Sequence, residues 1–141
     1  MNNGDHDDLT VVYYAVRACL GRYLLTPKQQ ESLASDEHHV GERPPSTWCC
    51  FIACGVIHRL TKGYGHELMP HMIDTPSTGK HCVLWQQTTW FILDPTFDQF
   101  PYPVPVYAAK EHVKDIDSYI EVDILHERVA ALMGWEPPKP S

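Results

Sequence analysis

The stretch "HCVLWQQTTWFILDPTFDQF", residues 81–100, contains two apolar runs on either side of a polar segment. This pattern predicts an antiparallel hairpin with its turn near residues 86–88. A hairpin accounts for the apolar residues, but it requires neither His81 at its start nor Asp94 at the end of its second strand. With the turn at that place the two residues lie roughly opposite each other, and cross-strand partners approach within ~5 Å between Cβ atoms. We therefore expect Asp94 to accept a hydrogen bond from the His81 ring and to fix its orientation.

A second stretch, "STWCCFIACGVIHRL" at residues 46–60, predicts a helix. Ser46 or Thr47 can cap its start, and Gly63 is expected to end it. The helix is apolar on nearly every side over its first turns, so we expect it to be buried at the centre of the fold.

Two adjacent cysteines, Cys49 and Cys50, lie in the first turn of this predicted helix. Cysteine attacks as the thiolate, which is favoured by a helix N-terminus and by a neighbouring cationic histidine. The chemical hypothesis is therefore a cysteine nucleophile, with His81 as its base and Asp94 as the group that orients the base.

The remaining patterns place helices before and after the strands, an order that predicts an α+β fold. Proline residues at 101, 103 and 105 predict an extended, irregular path after the last strand. The predicted elements are a buried helix at 8–25, a short helix beginning at Thr26–Pro27, strands within 66–73, 80–85 and 89–94, and a final helix at 121–135 that stops at Gly134.

The length and composition indicate one globular domain. The chain has 141 residues, of which 43% are hydrophobic and 21% charged, which is ordinary for a globular protein and enough for one core. We expect a single domain over 1–141 with its core at about 8–134, and flexible ends at 1–7 and 135–141.

The charge balance argues against two classes of partner. Eighteen acidic residues against eleven basic ones leave a formal net charge of −7, which disfavours binding to a nucleic acid or to an anionic membrane surface. The sequence has neither a secretory signal pattern nor an apolar run of the roughly 20 residues that a membrane helix needs. Its five cysteines are an odd number, which favours reduced thiols. These features predict a cytoplasmic protein, or one delivered from the cytoplasm by a route that needs no signal peptide.

The order of the candidate residues resembles that of the papain-like and transglutaminase-like cysteine enzymes. A cysteine at a helix start is followed by a histidine at a strand start and by the aspartate of "W-x-x-x-D-P-T". The segment "WFILDPTFDQF" is similar to the "DPT…QF" ending of bacterial papain-like toxin and effector domains, and the resemblance covers about residues 46–100. It implies a papain-like fold, with a central helix on a small antiparallel sheet. It also implies a nucleophilic cysteine, the base His81 and the orienting Asp94, which act on amide bonds of a protein or peptide without a cofactor.

Within that resemblance, the reaction and the nucleophile stay open. Members are proteases, protein-glutamine deamidases and transglutaminases, which differ in the group that accepts the acyl intermediate. The family pattern places a small residue four positions after the cysteine and apolar residues beyond it. From Cys49 this stripe reads Ala53, Val56 and Leu60, and it is more consistently apolar than the stripe from Cys50, so Cys49 is preferred.

One feature of the family pattern is missing. Papain-like enzymes often carry a glutamine shortly before the cysteine, where it helps to stabilise the oxyanion, but the residues before Cys49 include none. Gln29 and Gln30 lie much further upstream. The backbone N–H of the cysteine can serve as one donor, and Thr47 or Trp48 are candidates for the second. Loss of one such donor typically costs ~10²–10³ in rate.

Each candidate residue also has an explanation without catalysis. The two cysteines can be core residues, because free cysteine is among the most buried residue types. Asp94 before Pro95 is also a common turn opener, with Thr96 suited to the turn. A papain-like fold used only to bind a protein partner is therefore the alternative function.

A metal site is a further alternative. Cys50, Cys54 and His58 follow one face of the central helix, with Cys82 as a possible fourth ligand, and zinc accepts these residue types. However, the first and third lie ~12 Å apart along a helix, too far to share one tetrahedral ion. No closely spaced cysteine pair of the zinc-binding type is present, so no metal is predicted.

Overall fold

The described residues form an α+β arrangement of helices and a small four-stranded antiparallel sheet, and this coarse class confirms the sequence prediction. The computed structural model describes residues 4–34, 46, 49–62, 68–75, 79–86, 91–99 and 110–134. The helices are α1 (Gly4–Ala18), α2 (Pro27–Ala34), α3 (Cys50–Lys62) and α4 (Ile120–Met133), and the strands are β1 (Met69–Thr75), β2 (Gly79–Gln86), β3 (Phe91–Leu93) and β4 (Lys110–His112). Short 3-10 turns lie at Arg22–Leu24, Phe97–Gln99 and Ile116–Ser118.

Helix α3 is the centre of the fold, as predicted. It packs against α1, α4 and β2, and the continuous run from Ile52 to Ile57 is buried. Its first residue is Cys50, although the backbone carbonyl of Cys49 already accepts the first helical hydrogen bond, from the N–H of Ala53 at 2.9 Å. The expected stop at Gly63 lies outside the described residues.

The first helix is shorter than predicted. The apolar run at 8–25 suggested one helix, but α1 spans Gly4–Ala18 and a separate 3-10 turn follows. The backbone is extended at Gly21, and the hydroxyl of Tyr23 folds back to donate to the carbonyl of Cys19. The apolar residues after the break still enter the core, since Leu24 and Leu25 are buried. Residues 4–7, expected to be flexible, form the first turn of α1; the remaining terminal residues, 1–3 and 135–141, lie outside the description.

The short helix α2 begins where the sequence predicts it. The Thr26 hydroxyl accepts a hydrogen bond from the N–H of Gln29 at 3.2 Å, and the Gln29 side chain accepts one from the N–H of Thr26 at 2.8 Å. This reciprocal pair satisfies two N–H groups that a helix start leaves open. The final helix α4 is also confirmed, and it ends at Gly134 in the left-handed conformation (φ 60) that glycine adopts without strain.

The sheet has the strand order β3-β2-β1-β4, with antiparallel pairs throughout. The first three strands overlap the predicted segments, although β1 continues to Thr75 and β2 spans Gly79–Gln86. Strand β4 pairs with β1 from His71 to Ile73 and was not predicted. Its sequence "KEH" has no apolar alternation, since it is an edge strand held by backbone hydrogen bonds, and charged residues are usual there. The prolines at 101, 103 and 105 lie outside the described residues.

The hairpin register differs from the prediction. Leu84 pairs with Leu93 and Gln86 with Phe91, so the continuation of this register sets Asp94 across from Val83 rather than His81. Residues 87–90, which connect the paired positions, lie outside the described ranges. The register is therefore shifted by two residues from the roughly opposite placement that was predicted, and because His81 and Val83 share a face of β2, Asp94 is a diagonal neighbour of His81.

Among the described residues, no helix has both the length and the apolar character needed to cross a membrane.

A close contact at Gly55 gives a first prediction. A Cβ atom added there would lie 2.8 Å from Cγ2 of Val122 and 3.2 Å from Cγ1 of Ile116, and both side chains are buried and stiff. Helix propensity favours alanine by ~1 kcal/mol, but such overpacking costs ~1–3 kcal/mol. We expect Gly55→Ala to lower the free energy of unfolding, measured in urea, by up to about 2 kcal/mol.

The companion variant is Gly55→Ala combined with Val122→Ala, which removes the nearest methyl group. If overpacking is the cause, the two changes together should cost less than the sum of the single changes. Additive costs would contradict this account.

Candidate functional site

The predicted contact between His81 and Asp94 is confirmed. Nε2 of His81 lies 2.8 Å from Oδ2 of Asp94. The His81 side chain is fully buried, and that of Asp94 is 11% exposed. The diagonal placement across β2 and β3 brings the carboxylate to the edge of the imidazole.

Asp94 also opens a turn, as its noncatalytic explanation required. Its second oxygen, Oδ1, accepts a hydrogen bond from the N–H of Thr96 at 3.1 Å. Thr96 and Pro95 are both buried. One carboxylate therefore serves both purposes: the turn holds the carboxylate in place, and its other oxygen meets the His81 ring.

The thiol that meets His81 is that of Cys50. Cys54 lies one turn further along α3, and its Sγ is 3.5 Å from the backbone oxygen of Cys82, so this face of the helix lies on β2. Cys50 shares that face, and His81 precedes Cys82 on the strand. The Cys50 thiol lies close enough to the His81 ring to raise the pKa of that ring, by side-chain hydrogen bonding and by its charge. Because Nε2 faces Asp94, Nδ1 is the ring nitrogen positioned to meet the thiol.

The thiol of Cys49, the cysteine that the sequence pattern preferred, lies on another side of the helix, toward Gly21. Its side chain is fully buried, and its Sγ donates to the backbone oxygen of Gly21 at 3.8 Å. Burial raises the pKa of Cys49 to about 11, against the smaller opposing effect of the Gly21 hydrogen bond. Cys49 is therefore a neutral core thiol. The apolar stripe that favoured it is the face that packs into the core.

The surroundings of His81 favour its charged form. Burial alone would lower the pKa of the ring, but the hydrogen bonds to Asp94 and Cys50, together with the charges of these groups, raise it to about 9. The imidazolium is thus the main form near neutral pH. An imidazolium beside a thiol at a helix start is the arrangement that favours a thiolate.

The two neighbouring thiols, one on α3 and one on β2, belong to the core. Cys54 and Cys82 are fully buried, and burial together with the adjacent Cys82 thiol raises the pKa of Cys54. All five cysteines are free thiols. Cys50 is therefore the half-buried thiol that combines a helix start with a histidine partner.

The described ranges contain no group of three or more His, Cys, Asp or Glu side chains placed to hold a metal ion. Of the residues considered for zinc, His58 uses Nδ1 to contact the backbone oxygen of Leu68 at 2.8 Å. That nitrogen is therefore already used in a contact with the backbone.

The upstream glutamines make local contacts around α2. The Gln29 side chain caps α2, and Nε2 of Gln30 donates to the backbone oxygen of Leu25 at 3.0 Å. The N–H of Cys50, in the first turn of α3, is one available donor. Thr47 and Trp48, the other candidates, lie outside the described residues.

The sequence analysis missed a set of polar contacts beside the site. Arg17 of α1 forms a two-pronged ion pair with Asp98, and Asp98 also accepts a hydrogen bond from Ser46. The expected role of Ser46 as a helix cap is replaced by this bond. The available signal was Arg17 itself, because it is a single charged residue within the apolar run "VVYYAVRACL".

Comparisons of the chain with protein-family models, with curated proteins and with solved structures found no match.

Proposed function

We propose that the chain is a papain-like cysteine enzyme that acts on amide bonds of a protein or peptide. Cys50 is the nucleophile, His81 the general base and acid, and Asp94 the group that orients His81. The observation that carries the proposal is the chain of contacts from Cys50 through the His81 ring to Asp94 at 2.8 Å. An ordinary core does not need a buried imidazole with both a thiol and a carboxylate as partners.

The proposed reaction begins with the transfer of the Cys50 proton to Nδ1 of His81. The thiolate attacks the carbon of a carboxamide, and the carbonyl electrons move to its oxygen. Collapse of this intermediate breaks the C–N bond, and the leaving amine takes the proton from His81. A thioester on Cys50 remains.

The second half of the reaction decides the class of product. His81 removes a proton from water, which attacks the thioester and releases a carboxylate and the thiol. The result is proteolysis if the amide was a peptide bond, and deamidation if it was a glutamine side chain. An amine in place of water gives transglutamination. Incubation with candidate proteins and mass spectrometry separates the three, because cleavage, conversion of glutamine to glutamate and a cross-link are different products.

Thiol labelling tests the proposal without a known substrate. We expect one cysteine to react rapidly with iodoacetamide at about pH 6, where an ordinary thiol with a pKa of ~8.5 is almost fully protonated. Cys50→Ala should abolish this fast phase, because it removes the thiol that meets His81. Site-specific mass spectrometry of the labelled protein measures the effect.

The matched control is Cys49→Ala, which removes the neighbouring buried thiol and should leave the fast phase in place. Loss of the phase in Cys49→Ala but not in Cys50→Ala would show that the nucleophile is wrongly assigned. Slow, unselective labelling of the unaltered chain would instead favour a noncatalytic papain-like domain that binds a protein partner.

A further inference from the structure

The candidate site is assembled from two parts of the chain, whose relative position must be fixed. Cys50 stands at the start of α3, whereas Asp94 follows strand β3 and holds His81. A nucleophile and its base must stay within hydrogen-bond reach, and a displacement of ~1 Å can cost ~10²-fold in rate. What holds the start of α3 against the segment after Asp94 therefore matters for the proposed reaction.

Arg17 holds the segment after Asp94. Its Nη1 donates to the backbone oxygen of Pro95 at 2.7 Å, one residue beyond Asp94. Its two terminal nitrogens also bind the two carboxylate oxygens of Asp98, each at 3.1 Å. The guanidinium further lies 4.9 Å from the centre of the Phe97 ring. Arg17 thus contacts three of the four residues from Pro95 to Asp98.

Asp98 continues this connection to the start of α3. Its Oδ1 accepts a hydrogen bond of 2.6 Å from the hydroxyl of Ser46, which is 1% exposed. The backbone oxygen of Ser46 accepts a hydrogen bond from the N–H of Cys49 at 3.0 Å, immediately before Cys50. A bonded path therefore runs from Pro95 through Arg17, Asp98 and Ser46 to the first turn of α3.

We propose that Arg17 is a positioning residue of the site: through Asp98 and Ser46 it fixes the start of α3, and with it the Cys50 thiol, relative to His81 and Asp94. The planar guanidinium suits this role because its fork binds both oxygens of a carboxylate in one geometry. Arg17 itself takes no part in the chemistry. This inference rests on the proposed function, since it concerns the same thiol and imidazole.

The first test is Arg17→Ala, measured by the rate of Cys50 alkylation in a Cys49→Ala background. We expect the rate at about pH 6 to fall about tenfold, because a displaced thiol interacts less with the imidazolium. The midpoint of the rate–pH profile should rise by about one unit, the same tenfold change expressed in pH. A merely structural loss would lower the melting temperature without moving this midpoint.

The matched control is Arg59→Ala. Arg59 has the same 25% side-chain exposure as Arg17 and also pairs with aspartates, Asp117 and Asp123. It lies near the other end of α3, about 14 Å from Cys50 along the helix axis. We expect this variant to leave the pH midpoint unchanged, so that loss of an ion pair alone is excluded as the cause.

A second variant, Ser46→Ala, removes the hydrogen bond at the other end of the path from Arg17 through Asp98. It tests the inference even if Arg17→Ala fails to fold. It should also slow labelling and raise the midpoint. Because both residues act through Asp98, the double variant should be no slower than the slower single variant. Independent, multiplicative effects would overturn the inference, as would an unchanged midpoint in Ser46→Ala.

The failures of the two proposals are distinguishable. If the unaltered chain has no fast cysteine that depends on His81, the proposed function fails and the role of Arg17 falls with it. If the fast cysteine is present and Arg17→Ala labels with the same rate and midpoint, only the positioning role is overturned.

Discussion

His81→Ala is expected to slow the alkylation of Cys50 at about pH 6 by on the order of 10²-fold. An ordinary thiol with a pKa of ~8.5 is about 0.3% ionised at that pH. A cysteine next to an imidazolium is ionised to a much larger extent, because the positive charge stabilises the thiolate. The hydrogen-bonded contact between Cys50 and His81 is the physical basis of this difference. At about pH 10, where ordinary thiols are ionised as well, the two rates should converge. For the proposed amide reaction the same change should cost ~10²–10⁴ in turnover.

The measurement is a rate–pH profile in a Cys49→Ala background, so that the labelled peptide carries one candidate cysteine. His58→Ala is the matched control. It removes another histidine whose ring nitrogen has a hydrogen-bond partner, but that partner is the backbone oxygen of Leu68. Asp94→Asn provides a variant that keeps the side-chain shape and should slow labelling less than His81→Ala. Equal rates for His81→Ala and the unaltered chain at pH 6 would contradict the Cys50–His81 pair.

In a Cys50→Ala variant, the free energy of unfolding is expected to fall as the pH rises from about 6.5 towards 9. The folded-state pKa of His81 is raised from 6.5 to about 9 by Asp94 and Cys50, against the effect of burial. A raised histidine pKa stabilises the fold fully below 6.5, and that stability is lost as the pH rises through the folded value. The full shift corresponds to about 3 kcal/mol. The variant retains only the contribution of Asp94 to this shift, so we expect its free energy of unfolding to fall by roughly 1–3 kcal/mol over this pH range.

Urea unfolding of the Cys50→Ala variant at several pH values measures this decline. Asp94→Asn in the Cys50→Ala background should flatten the decline, because the remaining charged partner of His81 is removed. A flat curve for Cys50→Ala alone would show that Asp94 does not hold a proton on His81.

Much of the arrangement follows from local patterns in the sequence. The cap at Thr26 was enough to predict α2, and apolar periodicity was enough for α3 and for α4, which ends at Gly134, because caps and helical spacing act over a few residues. The contact between His81 and Asp94 was also predictable, since the two strands of a hairpin are neighbours in the chain. Its diagonal geometry was not, because the register of a hairpin depends on its turn geometry and on which face of each strand is buried.

Other features depend on long-range packing. The break after α1 was missed because the apolar residues beyond Gly21 continue into the core, so the pattern resembles one longer helix. Strand β4 has no strand-like pattern and exists through its backbone pairing with β1. The path from Arg17 through Asp98 to Ser46 joins residues 81 and 52 positions apart, which no local signal connects.

By itself, the sequence determined the α+β order, the buried central helix and the partnership of His81 with Asp94, because each depends on short-range spacing along the chain. Only the tertiary structure decided which of the two thiols, that of Cys49 or that of Cys50, lies toward His81. Adjacent residues on an α-helix point about 100° apart, and both cysteines fit the same helix start. The packing of α3 between α1 and β2 turns one thiol toward Gly21 and the other toward His81.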